Sequence, residues 1–224
     1  MGELSYQWHF DVLRENWPFL LKGVRITFYV SVIAMSGGLV GGLLLALARL
    51  SRVRILQLLA YWYTEIFRTT PFLVQLMWIY FALPRLGGPA MNAFTAGAVS
   101  LILNLSAFLG EIYRAGIVAV PRRLVEAGLA LGLTNWDTHR RITVPIAFRQ
   151  MLPLTATLWI SLFKDTSILS LIGSAELMYQ ARELAVRTYR PLEIFTAVGI
   201  IYFLITYPQS LLVNYVYERY LPRE

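Results

Sequence analysis

The chain of 224 residues has no cysteine, two histidines and few charges, with only 15% of its residues Asp, Glu, Lys or Arg. Without cysteine there are no disulfides, no thiolate metal sites and no thiol nucleophile. His9 and His139 stand far apart, neither with a partner at ligand spacing, so no metal is expected. The chain also lacks a G-x-x-x-x-G-K-[ST] segment, the loop that wraps phosphate with exposed backbone N–H groups and a following lysine. The pairs Gly37-Gly38 and Gly41-Gly42 are no substitute, because they lie inside an uncharged apolar run. Small residues four apart in a membrane helix instead permit close helix contact. No cleavable signal is expected, since Met1 to Arg25 mixes aromatic, acidic and basic residues without an apolar core of its own.

What the chain has in quantity is apolar surface. Hydrophobic residues make up 57% of it and the mean hydropathy is +0.57, too apolar for an ordinary soluble domain. A crossing helix needs about 20 mostly apolar residues. Three windows meet this without a charge: Ile26 to Ala48, Leu86 to Gly110 and Ile194 to Tyr217. Two more carry charges that must face protein or water: Ile55 to Leu83, with Glu65 and Arg68, and Gln150 to Ile172, with Lys164 and Asp165. The expectation is an all-α integral membrane protein, a single domain over residues 1–224 with about five transmembrane helices. Tyr6 to Leu21 reads as an interfacial helix, with Trp8, Phe10, Leu13, Trp17 and Leu20 at the membrane surface.

Net charge is +7, yet the basic residues cluster at the ends of the apolar runs, where anionic lipid headgroups account for them. No nucleic-acid partner is expected. With five crossings the termini lie on opposite sides. Eleven basic flanking residues favour one assignment against seven for the other, which places the N-terminus outside and the C-terminus, with Arg219 and Arg223, in the cytoplasm. Lys22, Arg25, Arg182, Arg187 and Arg190 are then external.

Between the third and fourth windows lies a polar, glycine-punctuated island, about residues 114–149. Pro121 and Arg122 open a helix-favouring segment, Gly132 terminates it, and Thr134-Asn135-Trp136-Asp137 reads as a cap and restart toward Ile142. Two short helices with a bend are expected, a rigid elbow able to transmit a push. Glu126-Ala127-Gly128, Gly132, Ile142 and Pro145 match the spacing E-A-A-x3-G-x9-I-x-L-P, and this resembles the loop by which permease subunits of ATP-binding-cassette (ABC) importers engage their ATPases. Gly128 and Val144 stand where that pattern has alanine and leucine. Phe67-Arg68-Thr69-Thr70-Pro71 with Phe72-Leu73-Val74-Gln75, Glu111 to Ile117, and Lys164-Asp165-Thr166-Ser167-Ile168 resemble the polar amino acid branch of those permeases, of the histidine, glutamine and glutamate/aspartate type.

The resemblance implies an importer subunit without enzyme activity of its own. ATP and Mg2+ would be bound by two copies of a partner ATPase, which dock on Glu126, Ala127, Gly128, Gly132, Thr134 and Pro145. It further implies a second permease subunit, identical or homologous, an extracytoplasmic solute-binding protein, and a place in the bacterial inner membrane. An ABC permease for another small polar solute is the alternative reading.

Lys164 and Asp165 fall deep within the fourth window. An unpaired ion at the centre of a crossing costs about 2.5–3.5 kcal/mol or more, so the pair has an occupation: ion pairing that orients helices, or a wet cavity shared with Thr166 and Ser167 that receives the ammonium and carboxylate of an amino acid. Asn104 reads equally as an interhelical hydrogen bond or a substrate ligand. Thr157 stands where relatives often carry asparagine. Glu65 and Arg68, three apart, share a helix face and read as a salt bridge, and Pro71 should kink the second span. An intramembrane enzyme is disfavoured because Ser161, Ser167 and Asp165 have no histidine nearby, and an ATP-independent channel or carrier leaves the polar island unexplained.

Overall fold

The computed structural model describes residues 7–220. Tyr6 and Arg223, named above in the surface helix and among the C-terminal basic residues, lie outside the described residues. Helix α1 (Asp11–Leu50) runs unbroken for 40 residues, so the expected surface helix is the first turns of the first crossing. Gly23, which with Pro18 is one of two residues of poor helix propensity near the junction, is held by contact: a Cβ there would lie 2.7 Å from the Cα of Leu177. After a short turn come α2 (Arg54–Thr69) and α3 (Phe72–Met77), the latter prolonged by a π turn over Trp78–Ala82 and a 3-10 turn over Leu83–Leu86. Then follow α4 (Ala93–Val118), α5 (Arg122–Ala130), α6 (Asn135–Thr138), a π turn (His139–Thr143), α7 (Val144–Asp165), a 3-10 stretch (Thr166–Ile172), α8 (Leu177–Thr188) and α9 (Pro191–Tyr220).

Among the described residues, four stretches are long and apolar enough to cross a membrane: Asp11–Leu50, Ala93–Val118, Asn135–Ile172 and Pro191–Tyr215. The pair α2–α3 makes a fifth crossing only as a broken one, bent by 108° around Pro71. The all-helical architecture with about five crossings agrees with the sequence reading. The expected kink at Pro71 is in fact a complete break, with Thr70 and Pro71 both in extended conformation. The third crossing starts later than its apolar run, because Gly87 turns the chain at φ 86° and the Asn92 side chain accepts from Thr95 N at 2.8 Å to cap α4.

The long α4 runs through the centre of the packing, against α1, α2 and α7. Its contact with α1 is made by the glycines of the apolar run. A Cβ at Gly42 would lie 2.6 Å from Leu109 Cβ and 3.0 Å from the backbone nitrogen of Gly110, which cannot move aside. Gly42→Val should therefore lower the thermal-unfolding midpoint of the purified protein by about 5 °C or more, the usual effect of overpacking by roughly 1–3 kcal/mol. Gly199→Ala, where a Cβ meets nothing within 4 Å, should not lower it.

Where α1 ends, Arg49 lies 3.8 Å from Glu111, its guanidinium over the Tyr61 ring at 4.9 Å. Glu111 also pairs with Arg114 one turn on. The Glu111 carboxylate offsets part of the charge of both arginines where α4 extends past the apolar window. Glu65 and Arg68 do not pair: Arg68 stacks over the Phe108 ring at 5.8 Å. A second core forms where Leu177, Ala181, Leu184 and Ala185 of α8 meet Leu20 of α1 and Ile194 and Val198 of α9. The segment read as a basic external connection thus contains an ordered amphipathic helix. Its cap, Glu176, is fully buried and accepts from Met178 N, Tyr179 N and the Tyr202 hydroxyl at 2.9, 2.7 and 3.1 Å. Loss of hydration pushes this carboxyl up to about 7.

Candidate functional site: an exposed elbow and a polar cleft

The polar island folds into a sharply defined elbow. Arm one is α5. It ends because Gly132 adopts φ 82°, a conformation that costs other residues about 1–2 kcal/mol. Gly132 N then donates to Leu129 O at 3.0 Å and Leu133 N to Gly128 O at 3.2 Å, which satisfies the last carbonyls of the helix. Thr134 restarts the chain: its Oγ1 accepts from Asp137 N at 3.1 Å and donates to Asp137 Oδ2 at 2.7 Å. The second arm is longer than the sequence suggested. It is not a separate short helix but runs from α6 through a π turn straight into α7. Pro145 is accommodated at the start of α7, where the widened turn, closed by Val144 N on His139 O, absorbs the missing donor.

The two arms are pinned together at Gly128. It is buried, and a Cβ there would sit 2.7 Å from Ile142 Cδ1. Glu126, Ala127 and Thr134 are exposed, and Glu126 enters no ion pair among the described residues. Beside it the elbow displays Leu131, 85% exposed, and Trp136, 74% exposed. An acidic residue flanked by exposed Leu and Trp on a braced turn is suited to docking another protein.

The second site is a cleft of about 200 Å³ between α4 and α7, lined by Asn104, Phe108, Leu158, Ser161 and Asp165 among others. Here the structure brings Asn104 and Asp165 together. Asp165 is exposed in the single chain, seven residues from the end of the fourth crossing, where α7 passes into the 3-10 stretch. Neither it nor Lys164 makes an ion pair among the described residues, and Lys164 is exposed. Three other candidates do not join the cleft. Thr157 Oγ1 donates to Pro153 O at 3.0 Å, Ser167 Oγ to Lys164 O at 2.6 Å, and Thr166 is fully buried with Oγ1 on Phe163 O at 2.7 Å. Ser161, dismissed as a nucleophile, does line the cleft.

Behind Asn104 lies the break at Pro71. Asn104 Nδ2 donates to Phe67 O and to Gln75 Oε1, both at 3.0 Å. Gln75 was part of a recognisable run, and its position four residues past a proline was the signal of a structural duty.

Residues 38–223 match the family described as binding-protein-dependent transport system inner membrane component. The chain is 39% identical over 203 residues to the glutamine transport system permease protein GlnP of Escherichia coli (strain K12), covering 90% of this chain and 93% of that one. It is 36% identical over 188 residues to the arginine transport system permease protein ArtQ of Bacillus subtilis (strain 168), covering 84% and 86%. The fold is similar to the crystal structure of an amino acid ABC transporter with histidines, with a TM-score of 0.90 and 35% identity over 96% of this chain and 100% of that one. A match that takes in four of the crossings and the whole elbow, with relatives this similar over most of both chains, means that this chain belongs to the inner membrane component family of binding-protein-dependent transport systems.

Proposed function

We propose that this protein is the permease subunit of an ATP-driven importer for polar amino acids. The observation that carries the substrate class is the similarity, over most of both chains, to permeases named for glutamine and arginine transport. In this reading two permease subunits, identical or homologous, enclose the pathway across a bacterial inner membrane. The N-terminus is outside and the C-terminus and elbow are cytoplasmic. Two ATPase subunits, carrying the ATP and Mg2+, dock on Glu126, Ala127, Gly128, Gly132, Thr134 and Pro145. A solute-binding protein delivers the amino acid from outside. The bracing of the elbow supports this: α5 is pinned to Ile142 through Gly128, and the second arm is continuous with α7. Movement imposed at the elbow therefore has a continuous helical path to Asp165. The cleft lined by Asn104, Ser161 and Asp165 is the proposed stopping point of the substrate, with Lys164, Thr157, Thr166 and Ser167 nearby on the same helix and its 3-10 extension.

The test is co-expression with the ATPase, reconstitution with the binding protein, and ATP-dependent uptake of labelled acidic, basic and amide amino acids. Uptake of one group is the expected result. No uptake of any of them by an intact complex would replace amino acids by another small polar solute.

A further inference from the structure

A proline in a helix removes one donor, and here the vacancy can be followed to the cleft. Phe67 O would ordinarily receive the N–H of the residue four places on, which is Pro71 and has none. Thr70 O is also left without a helical donor by the break. A buried carbonyl without a partner is costly, and carbonyls can only accept. Gln75, 8% exposed, supplies the donor: its Nε2 reaches Phe67 O at 2.9 Å, Thr70 O at 3.0 Å and Thr70 Oγ1 at 2.7 Å. The orientation of the Gln75 amide is therefore forced. Its nitrogen faces the broken backbone, so its Oε1 faces α4.

Asn104 is fixed in turn. Its neighbours on that side, Gln75 Oε1 and Phe67 O, both accept, so its nitrogen must face them, as it does at 3.0 Å to each. Rotating the amide would set oxygen against two oxygens. Asn104 Oδ1 is thus turned away from α2 and α3. Asn104 itself forms part of the wall of the cleft that holds Asp165 and Ser161.

We infer that Gln75 is a positioning residue: anchored by the carbonyls exposed at the Pro71 break, it holds Asn104 with its oxygen toward the cleft, so that this wall accepts hydrogen bonds and receives an ammonium group. The inference rests on the reading of the cleft as an amino-acid site and adds which end of the amino acid meets which wall. Asp165 and Asn104 Oδ1 together take the ammonium. Ser161, whose hydroxyl can donate, lines the same cleft, and further donors for the carboxylate come from elsewhere in the assembly.

The test is calorimetric binding of L-glutamine and N-acetyl-L-glutamine, with and without variants, to the assembled permease and ATPase complex in lipid nanodiscs, without binding protein. The wild-type assembly should bind L-glutamine and bind the acetylated form, which has no ammonium, at least tenfold more weakly. Gln75→Leu removes one of the two acceptors that orient the Asn104 amide, Phe67 O being the other, and should weaken L-glutamine by up to about tenfold, the scale of one lost hydrogen bond to a charged group. Gln75→Leu should also narrow the preference for L-glutamine over the acetylated form, because only the ammonium contact is weakened. A purely structural role for Gln75 would weaken both ligands alike. Asn104→Leu leaves Gln75 on its carbonyls and removes the whole Asn104 amide, oxygen and nitrogen, so it examines the same bond should Gln75→Leu not assemble. Full-strength binding by Gln75→Leu, by Asn104→Leu, or equal binding of the two ligands overturns the inference. Absence of L-glutamine binding to the wild type, with uptake of other amino acids also absent, overturns the reading of the cleft itself.

Discussion

Asp165→Asn is expected to reduce uptake at least tenfold while the permease still assembles with its ATPase. The substitution keeps size and shape, removes the charge and turns one acceptor oxygen into an amide donor. Asp165 has no ionic partner among the described residues, so no structural salt bridge is lost. Because it is exposed in the single chain and lines a cleft with Asn104 and Ser161, its charge is free to meet a cationic group. A charge-assisted hydrogen bond contributes about 1.5–3 kcal/mol, and each 1.4 kcal/mol is a factor of ten in affinity. The check is reconstituted uptake beside co-purification of the ATPase. Wild-type uptake by Asp165→Asn would remove Asp165 from the pathway, whereas loss of assembly would return it to a structural role.

The break at Pro71 shows where sequence reading ends. A proline amid apolar residues announces a disturbed helix, but its size depends on whether other groups can satisfy the released carbonyls. A modest kink is enough when water or a neighbouring hydroxyl serves. A bend of 108° is stable here because Gln75 and Asn104, 29 residues apart, converge on Phe67 O. That convergence is a tertiary fact. The same network gives Asn104 an interhelical bond through its nitrogen. Elsewhere, local pattern was sufficient. Gly132 and Thr134 end and restart helices where their residue types require, because both act through their own backbone neighbours. Helix α8 was legible in principle, since Leu177, Ala181, Leu184 and Ala185 repeat at helical spacing. The density of charge around them made it look like a loop. The third crossing was misplaced for the opposite reason. An apolar run does not reveal that Gly87 turns the chain before it, nor that Glu111 and Arg114 travel within the helix as a pair.

Glu126→Lys should separate the elbow from the cleft by failing in the opposite way. In the proposed assembly Glu126 faces an ATPase, and reversing its charge sets like against like wherever it met a cation. Central contacts of such interfaces are worth about 2 kcal/mol or more, so docking should weaken roughly thirtyfold or more. The permease itself should be unaffected. Glu126 is exposed on α5 and enters no ion pair among the described residues, and changes at such sites usually stay within about 0.5 kcal/mol of the parent. The brace formed by Gly128, Ile142, Gly132 and Thr134 does not involve its side chain. The expected pattern is an unchanged thermal midpoint for the isolated permease, loss of ATPase from the purified complex, and loss of ATP-dependent uptake. Asp165→Asn, by contrast, should retain the ATPase and lose the substrate. Uptake at wild-type rate by Glu126→Lys would mean that Leu131 and Trp136, the neighbouring apolar residues of the elbow, carry docking without it.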